Sequence, residues 1–391
     1  MKHAKKDEFF DEVKRWSERK HRLLGKYLPP FTAKVGSWAH EVYCVDAFAG
    51  AARYDDGKEG SPLLMAHLSD TAAAWSNPVT LRLINIEKKP SHYKLLCEAT
   101  GPWVDRGIII NKKGSFGDKV TEILKDIGTR PALFFLDPYG PTKIYFRCLL
   151  PILNRRVSAT ELIINFNAYG LRRLGNLLHT QSRQISENSV EKVVSHVTSI
   201  MGDDGWKKDF VGDEFDNNQR EVRLVEMYVD TLHKFGYYVV AYPIREAIGS
   251  HPKYYLIFCS RHVQGVMLMN SFIREEEDQM LDEDTNDNLP LFMSAGVRQS
   301  AQAVEDRRIL LRDYFEEYLE QHRRTTRGEI RQHIIFKHFG RFHDKDFTKV
   351  AQDMVNEGVL VTGHGRKRFN DSEPLTYVPP STGESKLRRR S

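Results

Sequence analysis

Apolar positions along the 391-residue chain recur with two different periods. Short β-branched or aromatic runs at 42–46, 81–86, 108–110, 132–136 and 162–166 read as strands. Between them lie longer stretches with apolar residues every three to four positions, which predict helices. Strands alternating with helices call for an α/β fold with a doubly wound, mostly parallel sheet. Two further runs, 237–242 and 254–259, are joined by a loop containing Gly249 and Pro252 and predict a closing strand pair of unspecified orientation. The first helix covers 7–28, with Phe10, Val13, Trp16, Leu23, Leu24 and Leu28 at apolar positions and Pro29-Pro30 as its end. Gly60-Ser61-Pro62 predicts a second helix start, with Ser61 as the cap and Pro62 at the first helical position. Segment 172–235 is helical and polar, longer than one crossover needs.

The pattern changes after the last strand. Residues 275–288 hold eight acids and almost no apolar residue after Leu281, which predicts a solvated linker or loop. Helices follow at 305–321, 326–337 and 344–357, the second opened by a capping box of Thr326 and Glu329. Val359–Val361 and Leu375–Val378 complete a two-stranded wing, so the unit reads as a winged helix-turn-helix. The resulting division is a helical extension at 1–34, a Rossmann-like domain at 35–273 with a helical insertion at about 172–235, and an acidic linker at 274–304. A winged-helix domain at 305–380 and a basic tail at 381–391 complete it.

Composition narrows the setting. No apolar run approaches the roughly 20 residues that a membrane span needs, and the N-terminus reads as a charged helix rather than a signal peptide. Cys44, Cys97, Cys148 and Cys259 share neither metal-ligand spacing nor a disulfide pattern, so a reducing, cytoplasmic location is expected. The net charge of +5 gathers at the ends: residues 298–391 carry 19 Lys+Arg against 14 Asp+Glu, and residues 1–26 carry 9 against 5. That distribution permits nucleic-acid binding.

Candidate chemistry sits at strand ends. Asp46 closes the first strand, and Phe48, Ala49 and Gly50 form a turn small enough for backbone to approach a cofactor. Asp46 is placed to meet the cofactor's amino group, directly or through water. Glu87 ends the second strand, where an acid accepts both ribose hydroxyls, although it lies 37 residues after Gly50 rather than the roughly 20 of the dinucleotide fingerprint. The G-x-G-x-x-G of nicotinamide sites is absent. Asp118 is expected to cap the helix after strand three, with a second role of accepting from an adenine amino group. His333, His338 and His343 are five apart, which places no two on one helical face, and they are not read as metal ligands. Arg366, Lys367 and Arg368 lie on the wing, where exposed cations contact phosphates.

Asp137-Pro138-Tyr139-Gly140 ends strand four and resembles the Asp/Asn-Pro-Pro-Tyr/Phe motif of S-adenosylmethionine-dependent methyltransferases that act on exocyclic amines of bases. That likeness implies a class I methyltransferase sheet. Asp137 and Pro138 would then position the amine and Tyr139 would stack on an extruded base. The second proline is missing here, with Pro141 following the glycine.

The chain further resembles the three-Cys-motif partner (TcmP) family of bacterial proteins. The resemblance is carried by Lys20-His21, Lys26-Tyr27-Leu28, Val45–Gly50, Arg53-Tyr54, Gly60-Ser61-Pro62-Leu63, Leu136–Gly140 and Tyr254–Phe258. It implies a methyltransferase-like fold and a companion protein with a three-cysteine motif, similar to radical-S-adenosylmethionine iron–sulfur proteins. Where relatives tend to have Gly-x-Gly before Arg-Tyr, this chain has Gly50-Ala51-Ala52. The leading expectation is methyl transfer to a nucleic-acid base, in tRNA or DNA, with S-adenosylmethionine as cofactor and an exocyclic amine favoured as acceptor. A non-catalytic nucleic-acid-binding partner module ranks second, and a transcriptional regulator third.

Overall fold

The computed structural model describes residues 15–138, 144–178, 187–211, 214–247, 249–288, 293–363 and 370–379. Chain contacts divide it into two units, Met1–Val266 and Met267–Ser391.

In the first unit, α1 (Arg15–Ala39), β1 (Glu41–Asp46), α2 (Ser61–Ala73) and β2 (Thr80–Glu87) are followed by α3 (Pro90–Asp105), β3 (Ile109–Lys113) and α4 (Phe116–Ile127). Then come β4 (Ala132–Leu136), α5 (Phe146–Leu153), β5 (Thr160–Phe166), the helices α6 (Ala168–Gly175), α7 (Glu187–Met201), α8 (Lys208–Val211) and α9 (Asn217–His233), and strands β6 (Tyr238–Ile244) and β7 (Tyr254–Ser260). The strands form one seven-stranded sheet in the order β3-β2-β1-β4-β5-β7-β6. Neighbours are parallel from β3 to β5, and β7 runs antiparallel between β5 and β6. This is the Rossmann-like sheet of the class I methyltransferase type. Successive residues of β1 (Val42, Tyr43, Cys44, Val45) are all buried, because helices cover both faces. Tyr43 and Val45 face a core built with Val120, Ile123, Leu149 and Ile152 of α4 and α5.

Two predicted boundaries move. α1 does not stop at Pro29-Pro30 but runs through both to Ala39. The lost backbone donors are offset by burial on either side, with Leu28, Phe31, Thr32 and Val35 all in the core. β3 extends past its apolar run to Lys113; its polar residues are partnered on the two faces, Asn111 by Asn85 and Thr100, and Lys112 by Glu122 and Asp126.

The acidic segment is also corrected. Residues 275–288 form no loop but lie within α10 (Val263–Asn288), and 293–304 belong to α11 (Met293–Gln321). The acids that are described have partners. Asp278 contacts Arg274, Arg307 and His343, which holds its carboxyl well below the usual range. Asn270 of the same helix bonds Gly340 N–H and Phe342 C=O.

Beyond α11 come β8 (Arg324–Thr326), α12 (Arg327–Lys337), α13 (Asp344–Asn356), β9 (Leu360–Thr362) and β10 (Pro374–Tyr377). Their sheet has three strands, β8-β10-β9, where two were expected; β8 is too short and polar to leave an alternation. Thr326 and Glu329 form the predicted capping box. His333 and His338 pack on Tyr318 and Tyr314, and His343 on Asp278. Arg366, Lys367 and Arg368 lie outside the described residues. No described helix is long and apolar enough to cross a membrane.

Candidate functional site

The parallel strands β1, β2 and β4 end side by side, so the acids Asp46, Glu87 and Asp137 arrive at one edge of the sheet. The turn after β1 is tied to both neighbours: Ala47 N–H donates to Phe135 C=O and Ala49 N–H to Ile86 C=O. Gly50 has φ +64° and Ala52 φ +65°. Backbone in that left-handed region turns its amides toward the strand ends, which glycine tolerates and alanine resists.

Glu87 crosslinks this turn. Its carboxylate accepts from Gly50 N–H at 2.9 Å and Lys89 N–H at 2.6 Å, one donor on each oxygen. Each oxygen keeps further acceptor capacity, which fits a pair of ribose hydroxyls. Asp46 behaves differently. It is fully buried, accepting from Ser61 Oγ at 2.5 Å and Phe48 N–H at 3.1 Å, and burial pushes its carboxyl up to about 7. In that position it braces the turn from beneath. Ser61 is correspondingly not a helix cap: Gly60 takes that position, Pro62 falls one residue later in the helix, and the Ser61 hydroxyl is spent on Asp46.

Asp118 is likewise not the cap of α4. Ser115 is, accepting from Asp118 N–H at 3.3 Å, while Asp118 sits in the first turn and accepts from Ser115 Oγ at 2.5 Å. Its carboxylate is exposed near the end of β3. Phe48 rests against Phe116 of the same turn, ring centroids 6.3 Å apart.

Asp137 is held from two sides. Lys20 Nζ of α1 lies 2.5 Å from its Oδ2, and Asn165 Nδ2 of β5 donates to Oδ1 at 2.6 Å. The Lys20 ammonium also lies 5.2 Å from the Tyr254 ring centre. Pro138 follows Asp137 but does not line the cleft that Asp137 borders, and Tyr139 lies outside the described residues.

A shallow cleft lies here, lined by His21, Phe48–Tyr54, Gly60, Ser61 and Asp137. The polar loop 52–60 is a tight hairpin: Tyr54 N–H donates to Lys58 C=O, and Arg53 pairs with Glu59. Lys58 reaches Glu18 of α1 at 2.5 Å, and Tyr54 packs on His21 with ring centroids 5.9 Å apart. Helix and hairpin together wall the cleft.

Lys20, His21, Tyr54, Ser61 and Asn165 had no chemical role assigned from the sequence. One signal was present. Lys20 falls four residues after Trp16 and four before Leu24, a charge inside the apolar stripe of its helix.

No family model matches the chain, and no curated protein matches it. Solved structures do. An O-methyltransferase from Bacillus cereus in complex with SAH is 12% identical, with 64% of this chain and 83% of that chain covered and a TM-score of 0.33. Precorrin-6y C5,15-methyltransferase from Geobacter metallireducens is 13% identical, with 66% and 96% covered and a TM-score of 0.29. Scores this low carry no argument, and the chain's chemistry rests on its own residues.

Proposed function

We propose that this chain is an S-adenosylmethionine-dependent methyltransferase acting on nucleic acid, working beside a three-Cys-motif iron–sulfur partner. One observation carries the reading: a left-handed turn at Gly50 and Ala52, bracketed by the acids of β1, β2 and β4, at the carboxyl edge of a sheet of the methyltransferase type. Glu87 would hold the ribose hydroxyls, Phe48, Ala49 and Gly50 the methionine end, and Asp118 the adenine amine. The group bound there supplies an electrophilic methyl; the protein's own contribution is to place the acceptor at Asp137. In the second unit, the helix–strand–helix–helix–hairpin order supports a winged helix that would hold the nucleic acid through Arg366, Lys367 and Arg368.

Calorimetric titration of S-adenosylmethionine and S-adenosylhomocysteine into the purified chain tests the cofactor corner. Binding in the micromolar range is expected, weakened at least tenfold (about 1.4 kcal/mol) in Glu87→Gln. Labelled methyl transfer to tRNA and DNA, with and without the companion protein, tests the rest. The pairing of Asp137 with Lys20 and Asn165 favours one second reading, a binding module that presents nucleic acid to the companion. Absence of cofactor binding with nucleic acid present would establish that reading over the first.

A further inference from the structure

The methyl-transfer reading leaves one wall of the cleft unused: α1, which supplies Lys20 and His21. Among the described side chains lining the cleft, His21 is the one imidazole; the Tyr54 phenol is raised by burial and stays neutral. Asp137 differs from Glu87 in being ion-paired: the Lys20 ammonium on Oδ2, with Asn165 Nδ2 on Oδ1, makes it a weaker acceptor for further donors than an unpaired carboxylate. An exocyclic amine directed by a carboxylate would rely on that weakened acceptor for its own hydrogens. A hydroxyl makes a different demand, for a base that takes its single proton.

We propose that the methylated group is a hydroxyl, that His21 accepts its proton, and that the Lys20–Asp137–Asn165 cluster positions it. This rests on the methyltransferase reading above. Internal nucleotides of DNA carry no free hydroxyl, so within nucleic acid the acceptor is the ribose 2′-hydroxyl and the substrate is RNA. In the step, the hydroxyl oxygen bonds to the methyl carbon. The carbon–sulfur bond breaks, with its electron pair going to sulfur. The proton passes to the free imidazole nitrogen and on to solvent.

The groups facing His21 are Lys20, Asp137, Glu18 and Tyr54. Burial first, then the Lys20 charge, lower its pKa to about 4 against the opposing pull of Asp137 and Glu18. The imidazole is therefore a free acceptor throughout the neutral range. Lys20 is a positioning residue, acting through Asp137.

The test uses the full chain with labelled cofactor, unmodified tRNA and rRNA transcripts, and matching DNA, followed by digestion to nucleosides and mass spectrometry. Methyl groups on ribose oxygen in RNA are expected. His21→Gln should lower kcat by about 100-fold or more while the calorimetric Kd for S-adenosylmethionine stays within about threefold. Wild-type transfer should show a fall as pH drops toward about 4, where His21 protonates, separate from any change near 7 where Asp46 titrates. Lys20→Met should move that fall to higher pH, and Lys20→Arg, which keeps the charge, should leave it in place. Base-methylated products, or an unshifted profile in Lys20→Met, would overturn the proposal and leave methyl transfer standing. Cofactor binding without transfer to RNA would overturn it too. Loss of cofactor binding in the wild type would remove the underlying reading instead.

Discussion

Ala52 is the residue at which the site stores strain. It is buried, at φ +65°, where an L side chain costs roughly 1–2 kcal/mol. The surroundings hold it there: Gly60 N–H donates to its carbonyl at 2.8 Å, and the hairpin that carries Tyr54 begins at the next residue. The Gly-x-Gly pattern of the resembled family would put glycine at this position. Ala52→Gly should therefore leave stability equal or raise it by about 0.5–1 kcal/mol despite the loss of a buried methyl. Ala52→Val, β-branched in the same conformation, should lose about 1–3 kcal/mol. Urea unfolding of the three proteins measures both effects. A glycine variant less stable than wild type by more than about 1 kcal/mol would mean that the methyl's packing outweighs the backbone strain.

At the scale of elements, α1 is fastened to the sheet by a buried carboxyl at the opposite edge from the cleft. Glu161, early in β5, accepts from Tyr27 Oη of α1 and Ser260 Oγ of β7, each at 2.7 Å. Burial raises its pKa from 4.5 to about 7. The folded state thus keeps this proton where the unfolded chain releases it. The resulting stability is full below about pH 4.5 and is lost as pH rises through about 7, by at most about 3 kcal/mol. Glu161→Gln, neutral throughout, should gain on wild type between about pH 4.5 and pH 8 in chemical denaturation. Asp46 titrates in the same direction in both proteins, so their difference isolates Glu161. A gap that does not change with pH would refute the assignment. The legibility of these elements follows from their periodicity. β1, β4 and β5 are buried on both faces and leave continuous apolar runs, so the sheet and the acids at its strand ends could be read directly. α1 past Pro30, β8 and the helical acid run of α10 depend on partners far along the chain, which local pattern does not encode. The same holds for Asn165, ordinary in its own segment, whereas Lys20 stands out as a charge in an apolar stripe but gains its meaning only beside Asp137.

The whole molecule carries its excess charge at its two ends rather than on the sheet unit's middle, and the proposed division of labour follows from that. If the second unit grips RNA through Arg366, Lys367 and Arg368, those cations displace counterions from phosphates, and affinity must fall as salt rises. Each phosphate neutralised contributes about −0.7 to the slope of log K against log[salt] for single strands and about −0.9 for duplex DNA. Replacing all three by Ala should make that slope less negative by roughly 2 to 3 and weaken binding most at low salt. The calorimetric Kd for S-adenosylmethionine should not change, because the proposed cofactor corner of Phe48–Gly50, Glu87 and Asp118 would lie wholly in the other unit. Fluorescence anisotropy with labelled tRNA over a salt series supplies the slope. A weaker Kd with an unchanged slope would mean that the three cations act by shaping the hairpin rather than by meeting phosphate. An unchanged Kd and slope would reassign this segment to the companion protein, and the RNA contact would then have to be carried by the sheet unit itself.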